Sequence, residues 1–356
     1  MFSTILITGG AGFIGSHLAR RFKADYPASR VLALDNLRRR GSEVNLAHLR
    51  SAGVEFVHGD VRNPSDLAFD GAAIDLIVEC SAEPSVMAGY SDPSYVVDAN
   101  LVGAINCLNL ARRSGAAMIF LSTSRVYPID PLNALDFDET GSRYELSSTQ
   151  PVSGASDAGV AESFPLDGVR SLYGATKLSA ELMIQEYAAA FGMPYVIDRC
   201  GVVAGPGQFG KVDQGVFALW MGMHVFGRPL KYIGWGGGGK QVRDLLHVDD
   251  LADLIEYQAE HLADLSGSVF NAGGSRACSL SLRETTALCR QISGRTVDVA
   301  PVDEMRAGDV RIYISDIAKV SAATGWSPKR SASNVLDDIH TWILANEDQL
   351  RHLWLA

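Results

Sequence analysis

The chain opens on an apolar run, Ser3–Thr4–Ile5–Leu6–Ile7, of the length of a short buried strand and followed at once by glycines. Beyond Thr8–Gly9–Gly10–Ala11–Gly12–Phe13–Ile14–Gly15 the spacing becomes helical, with Leu18 and Phe22 on one face. Short continuous apolar runs recur at Val31–Leu32–Ala33–Leu34, Val54–Glu55–Phe56–Val57–His58, Leu76–Ile77–Val78 and Met118–Ile119–Phe120–Leu121. A helix is expected over Ala99 to Arg113. Strands of this kind alternating with helices predict an α/β fold, a doubly wound parallel sheet that takes ligands at the carboxyl ends of its strands. From Pro128 to Arg170 the periodicity dissolves into Asp, Ser, Gly, Pro and Thr; the segment ends just before Tyr173 and reads as a lid in preference to a linker. Helical patterns return over Val248–His261, Leu282–Ile292 and Val335–Leu350.

Composition narrows the class of function. A hydrophobic content of 47% and a charged content of 20% over 356 residues are those of a globular protein with an ample core. A net charge of −10 argues against nucleic acid, and Arg38–Arg39–Arg40 is too short a basic run to reverse that. No apolar stretch is long enough for a bilayer, and the first residues enter a strand without a basic region or cleavage site. Cys80, Cys107, Cys200, Cys278 and Cys289 form no Cys-x-x-Cys pair. A reduced, cytoplasmic protein with no membrane partner and no metal is expected.

The first glycines matter because they sit between a strand and a helix. Gly9 and Gly12 allow a tight turn and close approach of backbone to a pyrophosphate, and Gly15 lets the helix pack on the strand. The helix N-terminus, with Phe13 and Ile14 in its first turn, faces the phosphates. Asp35 ends the second strand twenty residues after Gly15, where a carboxylate accepts hydrogen bonds from a ribose diol and repels a 2′-phosphate. That favours NAD over NADP, a preference tempered by Arg38 and Arg39. Asn36 belongs to the same corner, and Asp60–Val61 supplies an adenine-edge contact, although an ordinary turn reads the same. Gly234–Trp235–Gly236–Gly237–Gly238–Gly239–Lys240–Gln241 nearly spells a P-loop. Gln241 stands where a Mg²⁺-binding Ser or Thr is needed and no long helix follows, so the stretch reads as a loop.

Tyr173 and Lys177 are four residues apart on an expected helix and share a face. An ammonium beside a phenol favours the phenolate, which can then take a proton from a substrate hydroxyl. Alone the spacing is commonplace. Here it follows a dinucleotide-type turn and Thr123, which ends the fifth strand where a substrate oxygen can be met and positioned.

Gly9-x-x-Gly12-x-x-Gly15, Asp35, Thr123 and Tyr173-x-x-x-Lys177, in that order, resemble the extended short-chain dehydrogenase/reductase family, whose members act on nucleotide-activated sugars. Arg243–Asp244–Leu245–Leu246–His247–Val248–Asp249–Asp250 and Arg306–Ala307–Gly308–Asp309 extend the likeness through the second half. The resemblance implies an NAD-binding domain over 1–200 carrying the insertion 128–170. It also implies a smaller C-terminal α/β domain for the nucleotide sugar over 201–356, with some segments returning to the first. Arg243 and Arg306 are expected on the diphosphate, which suits their planar donors. Relatives that dehydrate carry an Asp-Glu pair after the threonine; here Ser124 and Arg125 stand there, so epimerisation or net oxidation or reduction is expected instead. Gly207–Gln208–Phe209–Gly210–Lys211–Val212–Asp213–Gln214–Gly215, with Gln214 a substrate contact, Gly239–Lys240–Gln241–Val242–Arg243–Asp244, and the long segment with Asp138–Glu139–Thr140 and Arg143–Tyr144 are similar to the branch that epimerises CDP-linked sugars at C2 with bound NAD. Pro128, Cys80–Ser81–Ala82–Glu83–Pro84 and Arg199–Cys200–Gly201 depart from the family wording and bear on the sugar. A 4-epimerase, a net dehydrogenase or reductase, and a non-catalytic NAD-binding scaffold are the other readings. The family implies a homodimer or homotetramer.

Overall fold

The computed structural model describes residues 2–69, 73–211 and 214–354. The chain divides into two compact units: one takes residues up to Val126, Ser171–Arg199 and Ala252–Phe270, the other Tyr127–Arg170, Cys200–Leu251 and the chain from Asn271 on.

The first unit is built on strands β1 (Thr4–Thr8), β2 (Arg30–Asp35), β3 (Glu55–His58), β4 (Leu76–Glu79), β5 (Ala117–Thr123), β6 (Tyr195–Cys200) and β7 (Ser268–Ala272). They form one seven-stranded sheet in the order β7–β6–β5–β4–β1–β2–β3. The β1 pairings with β2 and β4, and those of β2 with β3 and β4 with β5, are parallel. Every residue of β1 and β5 is buried, which is why these strands read as unbroken apolar runs without alternation. Helices α1 (Phe13–Asp25), α2 (Gly103–Ser114) and α3 (Leu172–Phe191) cover the sheet. Leu108 of α2 and Ile184 of α3 share one core with Leu6, Ile77, Phe120 and Ile197. The order of strands reverses between β1 and β4, and at such a switch point the carboxyl ends diverge to leave a crevice.

The second unit has a four-stranded sheet of Val202–Ala204, Val242–His247, Ser279–Ser281 and Ile312–Tyr313. Helices Val216–Phe226, Leu282–Ser293 and Ala332–Ala345 enclose its core, where Phe217, Met221, Leu245, Leu336 and Ile339 meet. Residues 127–170, expected as a lid-like insertion of the first domain, are a built part of this unit. They hold a short helix, Ile129–Asn133, and two hairpins, Phe137–Glu139 with Tyr144–Leu146 and Ala155–Ser156 with Gly159–Val160. Backbone bonds tie them down: Val160 donates to Ile314 O at 2.8 Å and Tyr144 to Lys240 O at 3.1 Å. Strands of two or three residues are too short to show a period, so the sequence pattern could not reveal them. The expected tail helix is two, Ala332–Ala345 and Glu347–Trp354, parted at Asn346, whose φ of −125° leaves the helical range. Among the described residues no helix is long and apolar enough to cross a membrane.

One buried acid sets a pH dependence. Asp198, on β6, is wholly buried and accepts a hydrogen bond from Gln258 Nε2 at 2.8 Å. Burial pushes its carboxyl from 3.8 up to about 7, against the opposing pull of the Gln258 bond. The folded chain therefore keeps a proton that the unfolded chain releases, and stability falls as pH rises from 3.8 to about 7. Across that window the cost at this one group is on the order of 4 kcal/mol. Asp198→Asn keeps the acceptor and removes the titration. Urea unfolding at pH 5 and pH 8 should show the variant gaining on the wild type at the higher pH; a constant difference would refute the buried-acid account.

Candidate active site

The turn after β1 has the form a dinucleotide needs. Gly9 has φ +60°, and a Cβ there would lie 2.9 Å from Cys80 O, so the turn closes against the end of β4 only with glycine. A Cβ on Gly15 would come 2.2 Å from Gly9 O, which fixes how closely α1 approaches the strand. At Gly12 the sole crowding is Gly9 O at 3.0 Å. Gly12 is also the N-cap of α1, with no capping side chain and no acidic residue in the first turn. A helix start free of acids and caps, with Phe13 and Ile14 in its first turn, is a ready anion site.

Asp35 sits beside it. Its Oδ2 accepts from Ala11 N at 3.1 Å and its Oδ1 from Leu37 N at 2.8 Å. A carboxylate oxygen has two lone pairs, so each still has room for a ribose hydroxyl. Burial raises the Asp35 carboxyl, while the amides of Leu37, Ala11 and Gly12 pull it down. Asn36 Nδ2 donates to Asp60 Oδ2 at 2.9 Å, and Arg62 Nη2 donates to the same oxygen at 2.7 Å. The Arg62 bond holds the Asp60 carboxyl down to about 2. Val61 is buried in the core, and its carbonyl accepts from Asn106 Nδ2 at 2.9 Å. These residues suit an adenosine with free ribose hydroxyls.

The carboxyl ends of β4 and β5 carry the candidate chemistry. Thr123 is the last residue of β5; its Oγ1 accepts from Arg125 N at 3.2 Å, which leaves its own O–H to donate. Tyr173 is the second residue of α3, whose start is fixed by Ser171 Oγ accepting from Gly174 N at 3.2 Å. Lys177 follows one turn later and is 1% exposed, which for an ammonium demands a partner. It has two. Nζ lies 3.5 Å from Glu79 Oε2 and 3.8 Å above the centre of the Phe120 ring. Glu79 is equally buried, and its Oε1 accepts from Ser81 N at 3.0 Å and from Thr8 Oγ1 at 3.4 Å. Burial raises the Glu79 carboxyl, with Lys177 opposing.

Glu79 was missed from the sequence. The available signal was an acid closing an otherwise apolar parallel strand, Leu76–Ile77–Val78, where a charge has to be matched from another element. One turn beyond Lys177, Glu181 is paired with Arg199 of β6, Nη2 to Oε2 at 2.7 Å and Nε to Oε2 at 3.1 Å. Ser122 Oγ donates to Glu181 Oε1 at 2.5 Å. This buried cluster fixes α3, and with it Tyr173 and Lys177, against β5 and β6.

In the second unit Arg243 and Arg306 lie at two ends of one feature. Arg306 O accepts from Asp309 N at 3.2 Å, and Asp309 Oδ1 accepts from Arg243 Nη2 at 3.1 Å. Arg243 also donates to Val310 O at 2.5 Å and to Val242 O at 2.7 Å, so its fork is turned onto the protein. Gln214 closes a tight turn with Lys211, N to O at 3.2 Å; Val212 and Asp213 lie outside the described residues. No group of three or more His, Cys, Asp or Glu that could hold a metal occurs among the described residues.

A doubly wound sheet, an uncapped glycine-rich helix start at its switch point, and a Tyr–Lys pair in the first turns of α3 define an NAD-dependent Rossmann enzyme of the short-chain dehydrogenase/reductase class. The chain belongs to the NAD dependent epimerase/dehydratase family, whose model matches residues 5–273. It is 32% identical to a CDP-paratose 2-epimerase of Salmonella typhi over 95% of this chain and 98% of that protein. A dTDP-glucose 4,6-dehydratase of Mycolicibacterium smegmatis is 27% identical over 98% of this chain and 96% of its own length. Among solved structures, the UDP-glucuronic acid 4-epimerase of Bacillus cereus, in complex with UDP-glucuronic acid and NAD, superposes with a TM-score of 0.79. Its identity is 26%, covering 96% of this chain and 99% of that one.

Proposed function

We propose that the protein epimerises a nucleotide-activated sugar, a CDP-linked one, at C2. The observation that carries the substrate and position is the end-to-end likeness to CDP-paratose 2-epimerase, at 32% identity. The residues support epimerisation over dehydration. Loss of water from the sugar needs a carboxyl acid/base beside Thr123, and Ser124 and Arg125 occupy those positions.

Gly9, Gly12, Gly15, Phe13, Ile14, Asp35, Asn36, Asp60 and Val61 would hold NAD, together with Lys177 at the nicotinamide ribose. Bound there, NAD would supply the reversible hydride acceptor on which removal and return at the sugar carbon, with inversion, would rest. Tyr173 takes the proton of the hydroxyl on that carbon, with the Lys177 charge favouring the phenolate. Thr123 donates its free O–H to the reacting oxygen as that oxygen becomes a ketone, and so positions it. Tyr173 then gives the proton back. Gln214 and Arg306 would contact the substrate, Arg306 at its diphosphate, and Arg243 braces the Arg306–Asp309 turn.

The test is proton NMR of the purified protein, without added NAD, mixed with CDP-paratose and separately with other nucleotide sugars. A new C2 epimer from the CDP-linked sugar is the expected result. Turnover of a UDP-sugar at C4 instead would move the assignment to a 4-epimerase. Net consumption of added NAD would make the protein a dehydrogenase. Inactivity across the panel with NAD supplied would overturn the enzymatic assignment.

A further inference from the structure

Arg311 immediately precedes the strand Ile312–Tyr313 in the second unit. Its guanidinium carbon lies 4.2 Å from the centre of the Phe137 ring, 4.4 Å from that of Trp235 and 5.7 Å from that of Tyr144. Its main chain is bonded, N–H to Asn133 Oδ1 at 3.0 Å and carbonyl from Val242 N at 3.0 Å. The guanidinium is not: among the described residues no carboxylate, carbonyl or hydroxyl receives any of its N–H groups. Aromatic rings cover the faces of a guanidinium and leave its edge, where all five donors lie. Arg311 is thus a fork with its plane fixed and its donors open.

The ring that covers it is held at a cost. Trp235 has φ +52°, a left-handed conformation that a bulky side chain rarely adopts. Its Nε1 donates to Asp309 Oδ2 at 3.2 Å, and its N–H to Met305 Sδ at 3.4 Å. Strain of this kind persists where the surroundings over-determine it, and it gathers at ligand clamps. The glycine-rich stretch that fails as a P-loop places the Trp235 indole against Arg311. Asp309 takes both the Trp235 indole and Arg243, so Arg243 is neutralised from within while Arg311 keeps its charge unmatched.

Resting on the nucleotide-sugar reading above, we propose that Arg311 takes phosphate oxygens of the substrate's nucleotide diphosphate, with Phe137, Tyr144 and Trp235 holding the plane of its fork. A planar pair of donors matches phosphate oxygens, and such charge-assisted bonds are the stronger kind.

The test is calorimetric titration of the NAD-loaded protein with CDP and with UDP, for wild type, Arg311→Gln and Arg311→Lys. Arg311→Gln should weaken both nucleotides alike, by about 10- to 100-fold. Arg311→Lys keeps the charge without the fork and should fall between. With the sugar substrate, KM should rise by the same factor while kcat stays near that of the wild type, a split that a packing role would not produce. Unchanged affinity in Arg311→Gln overturns the proposal, and a loss confined to CDP overturns it in favour of a contact to the base. If Arg311→Gln does not fold, wild-type affinity in Arg311→Lys has the same meaning. A wild type that binds neither nucleotide sinks the nucleotide-sugar reading itself, a result distinct from a failure at Arg311.

Discussion

Tyr173→Phe should lower turnover by about 10²- to 10⁴-fold, the range a positioned acid/base contributes, while the protein stays folded and NAD-loaded. Removing one oxygen leaves the ring in its buried place at the second position of α3. The ammonium of Lys177 does not depend on the phenol for its position, because Glu79 Oε2 at 3.5 Å and the Phe120 ring at 3.8 Å already hold it. The glycine turn and Asp35 lie on other elements and are unaffected. The measurement pairs the NMR turnover assay with the NAD released from denatured protein. Activity within a few-fold of wild type would remove Tyr173 from the chemistry. Loss of NAD along with activity would show that the residue's main part is in holding the cofactor.

The stretch from β1 to Asp35 was legible because its meaning is largely local: strand, turn and helix are consecutive, and Gly12 and Gly15 answer to Gly9 within the same turn, while Gly9 itself closes on Cys80 at the end of β4. The parallel sheet was legible for a related reason, since strands buried on both faces leave unbroken apolar runs. Legibility failed where partners are far apart. Lys177 could be read as one half of a Tyr–Lys pair, but not as one half of a buried ion pair with Glu79, 98 residues away. The hairpins within 127–170 are stabilised by Ile314 and Lys240, residues that no pattern inside the segment points to. Arg243 reads as a diphosphate contact by type; only the fold shows its guanidinium donating to Asp309 and to the carbonyls of Val242, Val310 and Arg311. Arg311 is the reverse case, an unremarked arginine whose open fork emerges only when three rings from distant segments close on it.

Glu181→Ala should destabilise the fold by about 3–5 kcal/mol, the cost of breaking a buried ion pair from one side. Glu181 is fully buried and Arg199 is 5% exposed, so the guanidinium left behind cannot turn to solvent for compensation. Ser122 loses the acceptor of its hydroxyl in the same step. The harm extends to activity, because Glu181 lies one turn beyond Lys177 on α3 and its contacts to β5 and β6 set where that helix rests. A second variant separates the charge from the packing. Glu181→Leu with Arg199→Met and Ser122→Ala removes every polar member together, leaves no orphaned charge, and should recover most of the loss. Urea unfolding midpoints for the two variants measure the difference. Recovery of stability without recovery of turnover would mean that the ion pair places Tyr173 and Lys177 more finely than an apolar core can. A loss below about 1 kcal/mol in Glu181→Ala would contradict the buried-pair energetics and shift the anchoring of α3 to its apolar contacts, Ala180 and Ile184.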